Sequence, residues 1–161
     1  MRVIAGTVFA FFFGGYVLAQ QPGAGPQSSA MAAPAVIASP SQLAALVATL
    51  KSELKKDQAG ITRPLLSSPL HTVVVEHRVG PSTPGSHEMT SEFYYIVEGA
   101  GTSVTGGRIV GSNPGTVEGG AARQVSAGDV VLVPEGTPHY FSAVDGSITF
   151  LIVRMPRPPQ K

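Results

Sequence analysis

A chain of 161 residues with 11 Lys+Arg, 10 Asp+Glu, 4 His and no Cys has room for one domain rather than two. Its net charge of +1, with no basic cluster beyond Lys55-Lys56, argues against binding to a nucleic-acid backbone. Without thiols, disulfides, cysteine nucleophiles and thiolate–zinc sites are excluded, and catalysis falls to histidines, carboxylates, hydroxyls or a bound metal.

Met1-Arg2 leads into an apolar run from Val3 to Leu18. One positive charge, a core interrupted by Gly14-Gly15 and small residues before Gln20 match a secretory signal over 1–19, cleaved after Ala19. The implied location is secreted or periplasmic, with no membrane attachment after cleavage; an uncleaved anchor is the alternative reading of the same run. Residues 20–39 read as a flexible linker, because Gln20 to Pro34 has no charge and no hydrophobic period. Ser39-Pro40-Ser41-Gln42 then has the form of a capping box with proline at the first helical position. Leu43, Leu46, Val47, Leu50 and Leu54 recur at helical spacing, which predicts a helix from Pro40 to near Asp57, closed by Gly60.

From Pro69 the period changes to alternation and turn signals multiply. The predicted strands are His71 to Val79, Glu92 to Glu98, Thr102 to Thr105, Arg108 to Val110, Arg123 to Ser126, Val130 to Val133, His139 to Val144 and Ile148 to Arg154. Short strands in this number predict an all-β sandwich or barrel, within 61–155, followed by a Pro-rich tail over 156–161. Gly106-Gly107 signals a hairpin, Asn113-Pro114-Gly115 opens a glycine-rich loop to Gly120, and Gly128-Asp129 and Asp145-Gly146 mark corners. None of these glycines joins a strand to a helix start, so they are turns rather than phosphate cradles. No G-x-S-x-G elbow is present.

Two segments carry the chemistry. In Gly80-PSTPG-SHEMTSE-FYYIVE-Gly99, His87 and Glu92 stand five apart just before an aromatic strand. In Gly128-DVVLV-Pro134-E-Gly136-TP-His139, a strand runs into a rigid turn and then a histidine. Two imidazoles and a carboxylate make a mixed nitrogen and oxygen donor set suited to Fe, Mn, Zn, Ni or Cu. On the first strand, alternation puts His71, Val73, Val75 and His77 on one face and Val74, Glu76 and Arg78 on the other, so His77 or Arg78 faces the interior. Tyr94 shares a face with Glu92, and Phe141 with His139, so each either lines a cavity or packs as a core aromatic.

The second segment resembles the second signature of the cupin family, with every glycine, proline and histidine position filled and Ala143 at the place of the trailing Asn. The first resembles the first cupin signature, in which a glycine precedes His-any-His, a glutamate and a further glycine; Glu92 and Gly99 match. Two alignments are open. One puts His87 at the second histidine and Gly85 at the first; the other puts Glu88 and Ser86 there and keeps Gly80 at the leading glycine. The first is preferred, since a loop absorbs one residue more readily than a metal site abandons its imidazoles.

The resemblance implies an all-β, cupin-like jelly-roll β-barrel with one N-terminal helix. It also implies a divalent metal ion on His87, Glu92 and His139, a small-molecule substrate, and oxygenase, isomerase or decarboxylase chemistry; for such chemistry His77 and Glu88 are the candidate proton shuttles. A non-catalytic ligand-binding or sensing barrel with a degenerate metal site is the alternative. Pairing into a homodimer through sheet edges fits either.

Overall fold

The computed structural model describes residues 34–69, 71–112 and 115–157. The expected signal over 1–19, the linker up to residue 33, Leu70, Asn113-Pro114 and the tail from residue 158 lie outside the described residues. One helix, α1 (Pro40–Glu53), precedes the strands β1 (Gly60–Ser67), β2 (Thr72–Arg78), β3 (Thr90–Thr105), β4 (Arg108–Val110), β5 (Thr116–Glu118), β6 (Ala121–Ser126), β7 (Val130–Val133) and β8 (His139–Pro156).

The helix starts as its sequence dictates. Ser39 Oγ accepts the Gln42 N–H at 3.2 Å, and the Gln42 side chain accepts the Ser39 N–H at 2.8 Å. It ends earlier than expected, at Glu53, because Leu54 turns extended (φ −63°, ψ 117°) while still donating to the Leu50 carbonyl. The chain then reverses through Lys55–Gln58 into β1, a strand the sequence reading leaves unassigned. Its signal is hidden by Pro64, tolerated because β1 is an edge strand that, among the described residues, pairs only with β2 and bulges between Pro64 and Leu66.

The main sheet runs β1-β2-β8-β3-β6, with β7 also on β3, and β4 pairs β5 separately. The long strands β3 and β8 are antiparallel from Thr90↔Pro156 to Thr105↔His139. Each fuses two of the expected short strands, and β8 takes up Met155 and Pro156 as well. The punctuation between the pieces produces bulges rather than chain reversals: the register shifts between Ile96 and Glu98, Gly99 and Gly101, and Thr102 and Ser103. Gly99 sits at φ +78°, and a Cβ there would collide with the Ser147 carbonyl oxygen, so this crossing requires glycine. Gly106-Gly107 does turn the chain, with both φ positive. However, β4 leaves to pair with β5, which lies inside the stretch expected as loop.

The sheet has two differently used faces. Inside, Val74, Tyr94, Ile96, Val125, Val133, Phe141, Ile148, Phe150 and Ile152 form the barrel core. Outside, Val47 and Leu50 of α1 close over Val75, with Ile61, Leu65 and Leu151 around them. β2 therefore turns Val74 and Glu76 inward and Val75 and His77 toward the helix.

Candidate metal centre and cavity

Glu92 lies near the start of β3 on the inward face, with a side chain only 2 % exposed. Burial alone would drive its carboxyl up, but the neighbouring His139 imidazole, Tyr94 hydroxyl and Arg154 guanidinium outweigh that and hold it at about 2. The Tyr94 hydroxyl donates to Oε2 at 2.6 Å, and Arg154, directly opposite across the β3–β8 pairing, donates from Nε to Oε1 at 2.9 Å. An ionised carboxylate accepts about four hydrogen bonds, so lone pairs remain on the side facing the imidazoles.

His139 enters β8 from the Pro134–Pro138 turn. Its backbone pairs with Gly85 in both directions, at 2.9 and 3.2 Å, and the Gly136 N–H donates to the His87 carbonyl at 2.9 Å. These bonds stitch the Pro81–Met89 loop onto the turn and bring the two imidazoles together, with ring centroids 5.4 Å apart. His139 Nε2 lies 3.3 Å from Glu92 Oε2, and His87 Nε2 lies 3.6 Å from Glu92 Oε1. One donor atom from each of the three residues falls within 4.8 Å of the others. Metal–nitrogen bonds of about 2.0–2.1 Å at tetrahedral angles place neighbouring donors roughly 3.3 Å apart, so the donor set fits a single ion.

The tautomer reinforces this fit. His139 Nδ1 is 2.9 Å from the Thr137 carbonyl, which can only accept, so Nδ1 carries the proton. The neutral ring then aims its Nε2 lone pair at a carboxylate oxygen, an arrangement that calls for a cation or a proton between them. Accordingly, although burial pushes the His139 imidazole down, the Glu92 carboxylate and the Thr137 carbonyl raise it overall.

The three donors open on a cavity of ≈ 240 Å³. Tyr94 and Phe141 line it, as do Phe150, Ile152, Ser103 and the Arg154 side chain. His87 is 47 % exposed at its mouth, whereas the His139 side chain is 12 % exposed.

Not every sequence candidate arrives here. Glu88 is exposed and stands outside the cluster of His87, Glu92 and His139. His77 is buried on the opposite face of β2 and does not line the cavity. Its Nδ1 meets Thr149 Oγ1 at 2.8 Å, the Thr149 hydroxyl donates to Glu98 at 2.8 Å, and Lys51 Nζ lies 2.6 Å from that carboxylate. The sequence reading missed Arg154 and Glu76 as cavity residues. The signal for Arg154 was present: Ile148, Phe150, Ile152 and Arg154 alternate on one face, and a charge ending an apolar stripe needs a buried partner.

A family comparison matches residues 73–153 to the Cupin domain. The chain is a cupin. Comparison with curated proteins gives no match. Among solved structures, this cupin is similar to KdgF from Halomonas sp., at 21 % identity over 65 % of this chain and 87 % of that one, with a TM-score of 0.51. It is also similar to an uncharacterized conserved protein with a double-stranded β-helix domain from Klebsiella pneumoniae (18 %, 64 % and 82 %, TM-score 0.51). A third likeness is to the TT1209 protein from Thermus thermophilus (19 %, 68 % and 95 %, TM-score 0.51). At these identities the likeness establishes the fold, and the all-β jelly-roll expectation holds.

Proposed function

We propose that this cupin holds a divalent metal ion on His87 Nε2, His139 Nε2 and the Glu92 carboxylate, and presents it to a small polar metabolite in the cavity. The observation that carries this reading is the aim of His139: its proton is committed to the Thr137 carbonyl, and its free lone pair points at Glu92 beside His87. Such an ion supplies Lewis-acid or redox chemistry, and the reaction belongs to the oxygenase, isomerase or decarboxylase classes. The protein's own groups do the rest. Tyr94 and Arg154 keep Glu92 ionised and fixed in direction, Phe141, Phe150 and Ile152 keep water from the inner wall, and His87 guards the open side. The signal expected over 1–19 would deliver the protein to the periplasm or the medium.

One observation favours the second reading, a ligand-binding barrel with a weakened site. Gly85 stands where the cupin resemblance calls for a further imidazole. It lines the cavity, and a Cβ there would meet nothing within 4 Å.

Metal analysis after exposure to zinc or manganese tests both readings. The wild type is expected to retain a stoichiometric ion that His139→Ala loses, and Gly85→His is expected to tighten retention by adding a donor. A wild type that retains none, or a His139→Ala variant that retains as much, removes the metal centre and leaves the binder.

A further inference from the structure

Arg154 does more than neutralise Glu92. Its guanidinium donates to Glu92 through Nε alone, and among the described residues Nη1 and Nη2 have no hydrogen-bond partner. The side chain is 45 % exposed and lines the cavity. A guanidinium tethered by Nε has its plane fixed and presents its two terminal nitrogens as a fork, the shape that receives a carboxylate through two parallel hydrogen bonds.

The charges of the cavity point the same way. Glu76, the other acid in the lining, is closed off by Arg78 at 2.6 Å, with both side chains largely buried. Glu92 offsets Arg154, and the histidines are neutral when they bind a metal. The lining therefore cancels, and a divalent ion leaves the cavity with a surplus of positive charge, which selects an anion. The limited volume and the apolar wall of Phe141, Phe150 and Ile152 restrict that anion in size.

We infer that the ligand is a compact organic acid whose carboxylate docks on the Arg154 fork while a second oxygen, hydroxyl or keto, faces the ion on His87, Glu92 and His139. This rests on the metal reading above and adds to it the class of substrate.

The test uses L-lactate and propane-1,2-diol, which share a size and a hydroxyl and differ in the carboxylate. Each is titrated calorimetrically into the full chain loaded with zinc, as wild type, Arg154→Gln and Arg154→Lys. Wild type is expected to bind lactate about tenfold or more tightly than the diol, as a charge-assisted pair implies. Arg154→Gln is expected to lose that preference, and Arg154→Lys to keep part of it through charge without the fork. Equal binding of acid and diol by the wild type, binding of neither, or a preference that survives in folded Arg154→Gln overturns the inference. Should Arg154→Gln fail to fold, the wild-type ratio and Arg154→Lys decide: an Arg154→Lys preference as strong as the wild type's counts against the fork. Zinc titration of the same proteins separates this result from the metal reading. Zinc retained without a preference for the acid sinks the carboxylate dock alone. If the wild type takes up no zinc, the metal reading fails, and the comparison on the metal-free chain still decides for or against Arg154.

Discussion

Two histidine–glutamate clusters lie on opposite faces of the same sheet, and they are wired differently. Under α1, His77, Thr149, Glu98 and Lys51 form a line of partners that runs from the buried imidazole to a half-exposed ion pair. Inside the barrel, His87, His139, Tyr94 and Arg154 instead converge on the single carboxylate of Glu92. Residue types are nearly the same in both. The difference teaches that a site is marked by several donors meeting at one point beside a cavity, whereas a linear chain satisfies its own members and serves packing.

That contrast can be broken most forcefully through the outer face. Leu50 is fully buried between α1 and β2, so Leu50→Ala should lower stability by about 2–5 kcal/mol and leave zinc affinity unchanged. Chemical denaturation and zinc titration of the variant measure both; a large fall in affinity would mean that the two faces are coupled. Tyr94→Phe sharpens the inner side, since it deletes one bond to the buried Glu92 carboxylate without replacing a proposed ligand. Its loss should cost about 1.5–3 kcal/mol and weaken zinc binding roughly 10–100-fold, read by the same two methods. His77→Leu should cost only about 1 kcal/mol with zinc binding intact, because its imidazole serves one hydrogen bond.

The smallest effect, and the most discriminating, is the pH dependence of the metal-free protein. Burial, with Lys51 adding to it and Glu98 opposing, lowers His77 below its ordinary 6.5. The unfolded chain then takes up the proton first, so this contribution is present above pH 6.5 and is lost as pH falls through that value toward the folded one. His139 is raised, so its contribution is present below pH 6.5 and is lost as pH rises through the raised value. Thermal melts across this range should show His77→Leu removing the acid-side decline and His139→Ala removing the alkaline-side one. Parallel changes in the two variants would contradict the opposite signs. Glu92 adds a separate limb at lower pH, since its contribution is present above the ordinary 4.5 and fades toward about 2.

Much of this was legible in the sequence because spacing encodes it. The capping box started α1, the short apolar run Val130 to Val133 and the alternation of Ile148 to Arg154 gave strands, and the Gly128-to-His139 segment defined both the turn and one imidazole. What escaped was set by tertiary context. Asp145-Gly146 and Gly99 carry turn chemistry in isolation, yet the long β3–β8 pairing absorbs them as bulges. β1 hid behind a proline that only an edge position tolerates. Which face of β2 looks inward depends on α1 covering Val75, a fact absent from the strand's own residues, and it moved His77 away from the cavity and Glu76 into it.

The position of β8 at the end of the described chain has a consequence for biogenesis. His139 and Arg154 both belong to this strand, and Arg154 meets its partner Glu92 across 62 residues of sequence separation. A nascent polypeptide that has not yet presented β8 holds neither group against the acid. The proposed donor set is therefore complete only once the slow long-range pairing of β8 has formed.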